Sequence, residues 1–164
     1  MTEKTKQIAV ALIGEPQVGK TELMRLLDVK AKRKGIRTSL KTKKADIVFW
    51  EFQTSSIKPE KLEIFARSFL QESKPFHRYL LMVSDSTLED INQIKYGLQY
   101  LRNLFTDTRL AIIANKQDLE SSLPKSRIEK MTNLPTLEIS TLDPQNRSKL
   151  VNFLSYLTGF DIGL

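Results

Sequence analysis

The residues Ala9-Val10-Ala11-Leu12-Ile13-Gly14-Glu15-Pro16-Gln17-Val18-Gly19-Lys20-Thr21 join an apolar run to a helical pattern through the octet GEPQVGKT. The run Ile8 to Ile13 reads as a buried parallel strand, and Leu23, Met24, Leu26 and Leu27 then switch to helical spacing. A G-x-x-x-x-G-K-[ST] segment between strand and helix is a loop whose backbone N–H groups point inward around phosphates. Gly14, Glu15, Pro16, Gln17, Val18 and Gly19 are expected to form that cradle. Lys20 is expected to reach the β- and γ-phosphates and the Thr21 hydroxyl to ligate Mg²⁺. A helix starting near Lys20 adds its positive N-terminal end to the same place. In a surface loop the octet would only make turns; the strand before it and the helix after it favour the phosphate site.

Apolar runs alternate with helical periodicities along the whole chain, which predicts an α/β fold. The strand-like runs are Gln7–Ile13, Ala45–Phe52, Tyr79–Ser84, Leu110–Ala114 and Thr136–Ile139. The helical stretches are Lys20–Lys32, Pro59–Leu70, Leu88–Phe105, Pro124–Met131 and Asn146–Leu157. In the third of these Ile91, Ile94, Leu98, Leu101 and Leu104 or Phe105 make one apolar stripe; Ser86 or Thr87 marks its start, and Glu89 and Asp90 favour the positive helix end. The expectation is a three-layer sandwich, a mostly parallel sheet with helices on both faces. The 164 residues make about one domain, with no linker or repeat, so a single unit over 1–164 is expected. Ligands of such sheets sit beyond the carboxyl ends of the strands.

The second informative segment is Leu110-Ala111-Ile112-Ile113-Ala114-Asn115-Lys116-Gln117-Asp118-Leu119, an apolar strand ending in Asn-Lys-Gln-Asp. A carboxylate at Asp118 can accept from the N1–H and the 2-amino group of guanine, a donor pair that adenine lacks. A site built on such contacts rejects the analogue that leaves them unmade. Asn, Lys, Gln and Asp are also ordinary turn residues; the upstream phosphate loop makes base recognition the better reading. An ATPase of the phosphate-loop class is the competing reading, and it requires ATP to compete with GTP.

With both motifs in place, the chain resembles the Ras-like small GTPase superfamily of P-loop NTPases over nearly its whole length. ANKQDL and LLMVSDSTLEDI are most similar to Arf-type and prokaryotic or archaeal small GTPases. The resemblance implies that Asn115 holds the base region, that the Lys116 stem lies against the purine, and that Asp118 selects guanine. The family's last base-contacting segment, Ser-Ala-Lys, corresponds to Ser140-Thr141-Leu142, so Ser140 and Thr141 join the expected site and Leu142 cannot supply the lysine. The implied ligands are GTP, GDP and Mg²⁺. The implied activity is a GTP-dependent switch hydrolysing GTP to GDP and phosphate, with effectors, an exchange factor and an activating protein as partners.

The chain departs from that family after its third expected strand, where Asp-x-x-Gly followed by Gln is usual. Here the segment is Glu51-Phe52-Gln53-Thr54-Ser55-Ser56, and no glycine occurs between Gly35 and Gly97. Glu51 is the better candidate for the metal and Asp46 the weaker one; Gln53, with Lys20, is the catalytic candidate, placed to orient water. Thr38 is the candidate to complete the Mg²⁺ shell, with Thr42 as fallback. Only thirty positions separate Thr21 from Glu51, which implies an abbreviated second strand or a rebuilt switch. A lost charge-assisted contact to the γ-phosphate is worth about 1.5–3 kcal/mol, so slow hydrolysis is expected. A nucleotide-binding scaffold without appreciable hydrolysis is the alternative. Phe49, Trp50 and Phe52 read as core and rim packing, and His77 as a loop residue rather than a base.

The absence of cysteine excludes disulfide frameworks and thiol catalysis and fits a cytoplasmic location. It also excludes prenylation and palmitoylation, and Thr2 excludes N-myristoylation, so no lipid anchor is expected. MTEKTKQ is charged and leads straight into a strand, unlike a signal peptide. The net charge is +7, and basic residues bunch over 30–44: Lys30, Lys32, Arg33, Lys34, Arg37, Lys41, Lys43 and Lys44. Peripheral contact with an anionic membrane is one reading of that stretch, and a solvated helix end and loop the other. No aromatic residues are interleaved there to stack on bases, so sequence-specific nucleic-acid binding is not expected.

Overall fold

Alternate residues of the first strand face two different layers, and that alternation organises the molecule. Ile8, Val10 and Leu12 belong to one buried cluster, and Ala9, Ala11 and Ile13 to the other. The computed structural model describes residues 4–27, 32–54 and 59–164. Along the chain these form β1 (Lys6–Gly14), α1 (Lys20–Leu27), β2 (Lys32–Lys34), β3 (Arg37–Lys41), β4 (Ala45–Gln53) and α2 (Pro59–Glu72). There follow β5 (His77–Ser84), α3 (Leu88–Leu104), β6 (Arg109–Ala114), α4 (Lys125–Thr132), β7 (Thr136–Glu138) and α5 (Asn146–Thr158).

Among the described residues seven strands make one sheet in the order β2-β3-β4-β1-β5-β6-β7. β1 pairs in parallel with β4 and β5, and β5, β6 and β7 continue in parallel. Only the pairs β2·β3 and β3·β4 are antiparallel. One layer packs Leu23, Met24 and Leu27 of α1 with Leu150, Leu154 and Leu157 of α5. The other packs Leu62, Phe65, Ala66 and Phe69 of α2, Ile91, Leu98 and Leu101 of α3, and Ile128 of α4. Phe49 and Trp50 are both buried, on opposite faces of β4, and Trp50 meets Phe69 edge-on at 5.6 Å. β1 lies where the connections diverge: the chain leaves it through α1 for the β2-β3-β4 side of the sheet, and β4 crosses back through α2 to β5 on the other side. The crevice beyond its C-terminal end is therefore where a ligand is expected.

Two expectations are corrected here. The helix anticipated through Lys32 is described only to Leu27, and Lys32 opens β2 instead. The basic stretch is then an antiparallel hairpin rather than a helix end and loop, its turn at Gly35 and Ile36, because Arg33 pairs with Thr38 and Lys34 with Arg37. Lys30 lies outside the described residues. His77 is not a loop residue; it opens β5 and sits 5.1 Å from the Phe160 ring. The helix start fell as expected: Thr87 is the N-cap of α3, its hydroxyl accepting from the Asp90 N–H at 3.2 Å.

α3 carries a glycine at its middle, Gly97, where a Cβ would meet nothing within 4 Å. Replacing it with alanine is expected to stabilise the protein by about 1 kcal/mol, the usual helix-interior difference between the two residues. Urea unfolding measures this, and a destabilisation instead would show that the helix is packed more closely at this point than the geometry indicates.

Candidate functional site

The phosphate loop begins where β1 runs out of sheet partners. Gly14 ends the strand in register with Gln53, and the Thr54 N–H donates to the Gly14 carbonyl at 3.1 Å. A Cβ on Gly14 would lie 2.4 Å from the Val83 carbonyl oxygen, so the loop leaves the sheet where only glycine fits. Backbone of left-handed φ at Gln17 (65°) and Gly19 (104°) curls the loop on itself, the kind of turn that forms an anion-binding concavity. Pro16 and Gln17 are exposed at its crest, and Val18 is buried in the α1/α5 layer, anchoring it. α1 then starts at Lys20 with its N-terminus toward the concavity.

Lys20 turns back over the loop. Its Nζ donates to the Gly14 carbonyl at 2.7 Å and to the Glu15 carbonyl at 2.8 Å. Burial lowers its pKa below the ordinary value, and the charges of Glu51, Glu15 and Asp90 oppose that fall. Lys20, Thr21, Glu51 and Gln53 line one cavity of about 580 Å³ beside the loop, with Ile36, Trp50 and Phe52 among its apolar walls. Glu51 is itself buried, paired in the sheet with Leu12 and so set two residues deeper than Gln53. Four of the anticipated metal and catalytic residues thus come together.

Thr38 does not join them. It is the second residue of β3, opposite Phe49, is 3 % exposed, and is absent from the cavity lining, because hairpin formation takes it into the sheet instead of leaving it on a loop. The fallback Thr42 lies at the opposite end of the molecule, in the β3–β4 turn, with its Oγ1 2.6 Å from the Ile162 carbonyl oxygen.

A lowered lysine pKa has a consequence for stability. Between the lowered value and 10.5 the unfolded chain keeps a proton that the folded chain has released, so stability rises with pH through that window and levels above it. Lys20→Met is expected to remove this contribution, at most about 1.4 kcal/mol per pH unit, and to weaken phosphate binding about ten- to a hundredfold. Urea unfolding of the ligand-free protein over the pH range below 10.5, for wild type and variant, checks the first; nucleotide titration checks the second.

The second segment meets the first through a single side chain. Asn115, 1 % exposed, follows β6 and donates its Nδ2 to the Val18 carbonyl at 2.8 Å and to Thr141 Oγ1 at 3.3 Å. Its Oδ1 accepts from the Thr141 N–H at 3.0 Å. The loop after β1, the segment after β6 and the turn after β7 are thereby tied at one residue. Lys116 adopts φ 60°, and exposed Asp118 accepts from the Ser140 hydroxyl at 2.8 Å. All the residues anticipated from the two motifs, including Ser140 and Thr141, lie at the C-terminal rim of the sheet. Leu142 is 78 % exposed at the edge of the same region.

Three residues play supporting roles that the sequence did not indicate. Ser86 (φ 67°) is fully buried and donates to the Asn115 carbonyl at 2.5 Å. Gln117 donates to Ser86 Oγ at 2.9 Å and to the Leu123 carbonyl at 3.0 Å, locking the segment after β6 to the loop before α3. Asp90, read from sequence as a helix-dipole partner, is buried and accepts from the Ser84 hydroxyl at 2.5 Å. Burial raises its pKa above the usual carboxylate value, the Ser84 bond opposing. In the sequence Ser86 and Asp90 stood out only as part of the helix-start pattern, and Gln117 only as a member of Asn-Lys-Gln-Asp.

A strand–loop–helix phosphate cradle at the centre of a mostly parallel, two-sided sheet is the α/β fold of the P-loop NTPases. Among solved structures the resemblance is narrower, to Ras-like small GTPases. The Arl6 BBS3 small GTPase from Trypanosoma brucei, with bound GppNp, matches at TM-score 0.69 and 11 % identity, over 94 % of this chain and 98 % of that one. The FeoB G-domain from Methanococcus jannaschii matches at TM-score 0.67 and 16 % identity, over 94 % and 99 %. A GTP-binding protein from Sulfolobus solfataricus, in complex with GDP, matches at TM-score 0.69 and 20 % identity over 92 % of this chain. The chain spans about half of that archaeal protein, 52 % of its length. No protein-family model matches the sequence, and no curated protein does. The chain has the fold of the Ras-like small GTPases.

Proposed function

We propose that this chain binds GTP and GDP and acts as a guanine-nucleotide switch that hydrolyses GTP slowly. The observation that carries the reading is Asn115, whose amide joins the phosphate loop at Val18 to the base-reading side at Thr141. A residue that costs this much to bury is well explained by two loops that must grip opposite ends of one ligand. The neighbouring folds are those of proteins described with GDP and GppNp, which supports guanine nucleotide as the ligand class.

In this reading Lys20 leaves the carbonyls of Gly14 and Glu15 to meet the phosphates, and Asp118 accepts from the guanine edge. The residues fit a phosphate-bound Mg²⁺: the Thr21 hydroxyl and the Glu51 carboxylate, both hard oxygen donors, line the cavity that adjoins Lys20. Mg²⁺ when bound would neutralise phosphate charge. Gln53, exposed at the end of β4, is the residue proposed to orient water. Partners that read the nucleotide state, and peripheral contact of the basic stretch 30–44 with anionic lipid, belong to the same proposal. Among the described residues no helix is long and apolar enough to cross a membrane.

The second reading, a nucleotide-holding scaffold, is favoured by the chain Glu51-Phe52-Gln53-Thr54-Ser55-Ser56, which offers no glycine amide to the γ-phosphate. Titration with GTP, GDP and ATP, with and without Mg²⁺, tests binding: guanine nucleotides are expected to bind and ATP not to compete. Single-turnover hydrolysis of prebound GTP then separates the two readings. Turnover above the buffer rate supports the switch, and its absence with candidate activators present supports the scaffold.

A further inference from the structure

At the end of the parallel strands opposite the phosphate loop lies a separate cavity of about 490 Å³, where β5 and β6 begin and α5 ends. Arg78, Arg109 and His77 line it with Phe76 and Phe160, and Asp107 is the one carboxylate among the described lining residues. We propose that this cavity binds a phosphate monoester carried on a flat ring, an aryl phosphate being its smallest form. The phosphate lies between the two guanidiniums and the ring against Phe160 and Phe76.

Three features support the assignment. The first is the placing of the guanidiniums. Tyr79 is in register with Arg109, and alternation along the strands puts both on the α5 face and Arg78 on the other, so the cavity straddles the strand ends. Arg109 Nη1 donates to the Leu157 carbonyl at 3.4 Å. Arg78 donates through Nε to the Ser73 carbonyl at 3.2 Å and through Nη2 to the Lys74 carbonyl at 3.4 Å. Backbone thus holds each guanidinium while leaving it further N–H donors, and among the described residues no carboxylate is ion-paired with either. Such a fork matches phosphate oxygens two at a time. The second feature concerns the end of α5, whose carbonyl oxygens would repel an anion. Arg109 takes the Leu157 carbonyl, and the Tyr79 hydroxyl takes that of Thr158 at 3.1 Å. Burial raises the Tyr79 pKa and the Arg109 charge opposes the rise, so the field of the guanidinium reaches this inner wall. The third is the aromatic wall. The His77 and Phe160 rings lie 5.1 Å apart, and Lys6 Nζ stands 5.1 Å from the Phe160 ring centre, a third cation beside the cavity. Aromatic faces among cations are the combination that holds a ring next to its phosphate.

The site shares no residue with the proposed nucleotide site. β1 begins at Lys6, beside Phe160, and reaches the phosphate loop only at Gly14, roughly 26 Å further along the strand. An occupant here therefore binds whether or not the nucleotide site is filled.

The test uses the full chain with phenyl phosphate, inorganic phosphate and benzylamine as probes, followed by calorimetry and ligand-observed NMR. Phenyl phosphate is expected to bind at least about tenfold more tightly than inorganic phosphate, and benzylamine not to bind. Arg109→Met is expected to weaken phenyl phosphate about tenfold or more, and Asp107→Asn, which removes the opposing charge, to strengthen it about twofold or more. Lys20→Met is expected to keep this binding, and Arg109→Met to keep GDP affinity, so a failure of this site is distinguishable from a failure of the nucleotide reading. No binding of phenyl phosphate, equal binding of inorganic phosphate, binding of benzylamine, loss with Lys20→Met, or no gain with Asp107→Asn would each overturn the proposal. Asp107→Asn decides the matter even if Arg109→Met fails to fold.

Discussion

Replacing Gly19 with alanine is expected to remove nucleotide binding and about 3–5 kcal/mol of stability, a large share of the 5–15 kcal/mol typical of a domain. The reason is a collision with a specific neighbour. A Cβ on Gly19 would lie 2.2 Å from Asn115 Nδ2, and the residue holds φ at 104°, where side chains are rarely accommodated. Asn115 cannot simply turn aside. Its amide is buried and bonded to the Val18 carbonyl and the Thr141 N–H, and each buried group left without a partner costs about 1–3 kcal/mol. Gly35 is the control. It too has positive φ, 60°, but a Cβ there meets nothing within 4 Å, so Gly35→Ala is expected to cost only about 1 kcal/mol of backbone strain and to leave GDP affinity unchanged. Asn115→Ala combined with Gly19→Ala is expected to be less damaging than the sum of the two, because removing the amide also removes the clash. Strict additivity in urea unfolding would show that the two residues do not meet.

The parts of this molecule readable in the sequence are those with a local cause. Ile8 to Ile13 alternate between two buried layers, and the octet that follows requires strand, turn and helix in that order. The five helices and the five longer apolar runs follow from periodicity, with ends within a few residues, apart from the first helix. What escaped was set by pairing across distance. Lys32–Lys34 and Arg37–Lys41 have too few apolar residues to read as strands, yet they form because β4 offers an edge and Arg37 finds Trp50, its guanidinium 4.1 Å from the ring, and the Glu72 carboxylate. Pairing with Phe49 takes Thr38 away from the site for the same reason. The supporting roles of Ser86 and Gln117 were invisible because an ordinary polar residue gains such a role only when the fold brings Asn115, Leu123 and the loop before α3 together.

Asp118→Asn is expected to exchange the base preference of the protein, weakening guanine nucleotides by about 10³-fold or more and favouring xanthine nucleotides. As a carboxylate, Asp118 only accepts, and it matches the two N–H donors on the guanine edge. An asparagine amide presents one acceptor and one donor. Against guanine, the donor faces a donor and the buried pair goes unmade; against xanthine, whose position 2 carries an oxygen, the donor finds an acceptor. The substitution should leave the fold intact, because the amide oxygen can still accept from the Ser140 hydroxyl that now bonds Asp118 at 2.8 Å. The phosphate loop is untouched, so affinity for the shared diphosphate is retained in the xanthine complex. Parallel titrations with GDP, XDP and ADP measure the exchange. If guanine preference persists while Ser140→Ala alone loosens binding, Asp118 serves the turn after β7 and the base is read elsewhere. A reversed preference at unchanged stability ties specificity to a single side chain at the rim of β6.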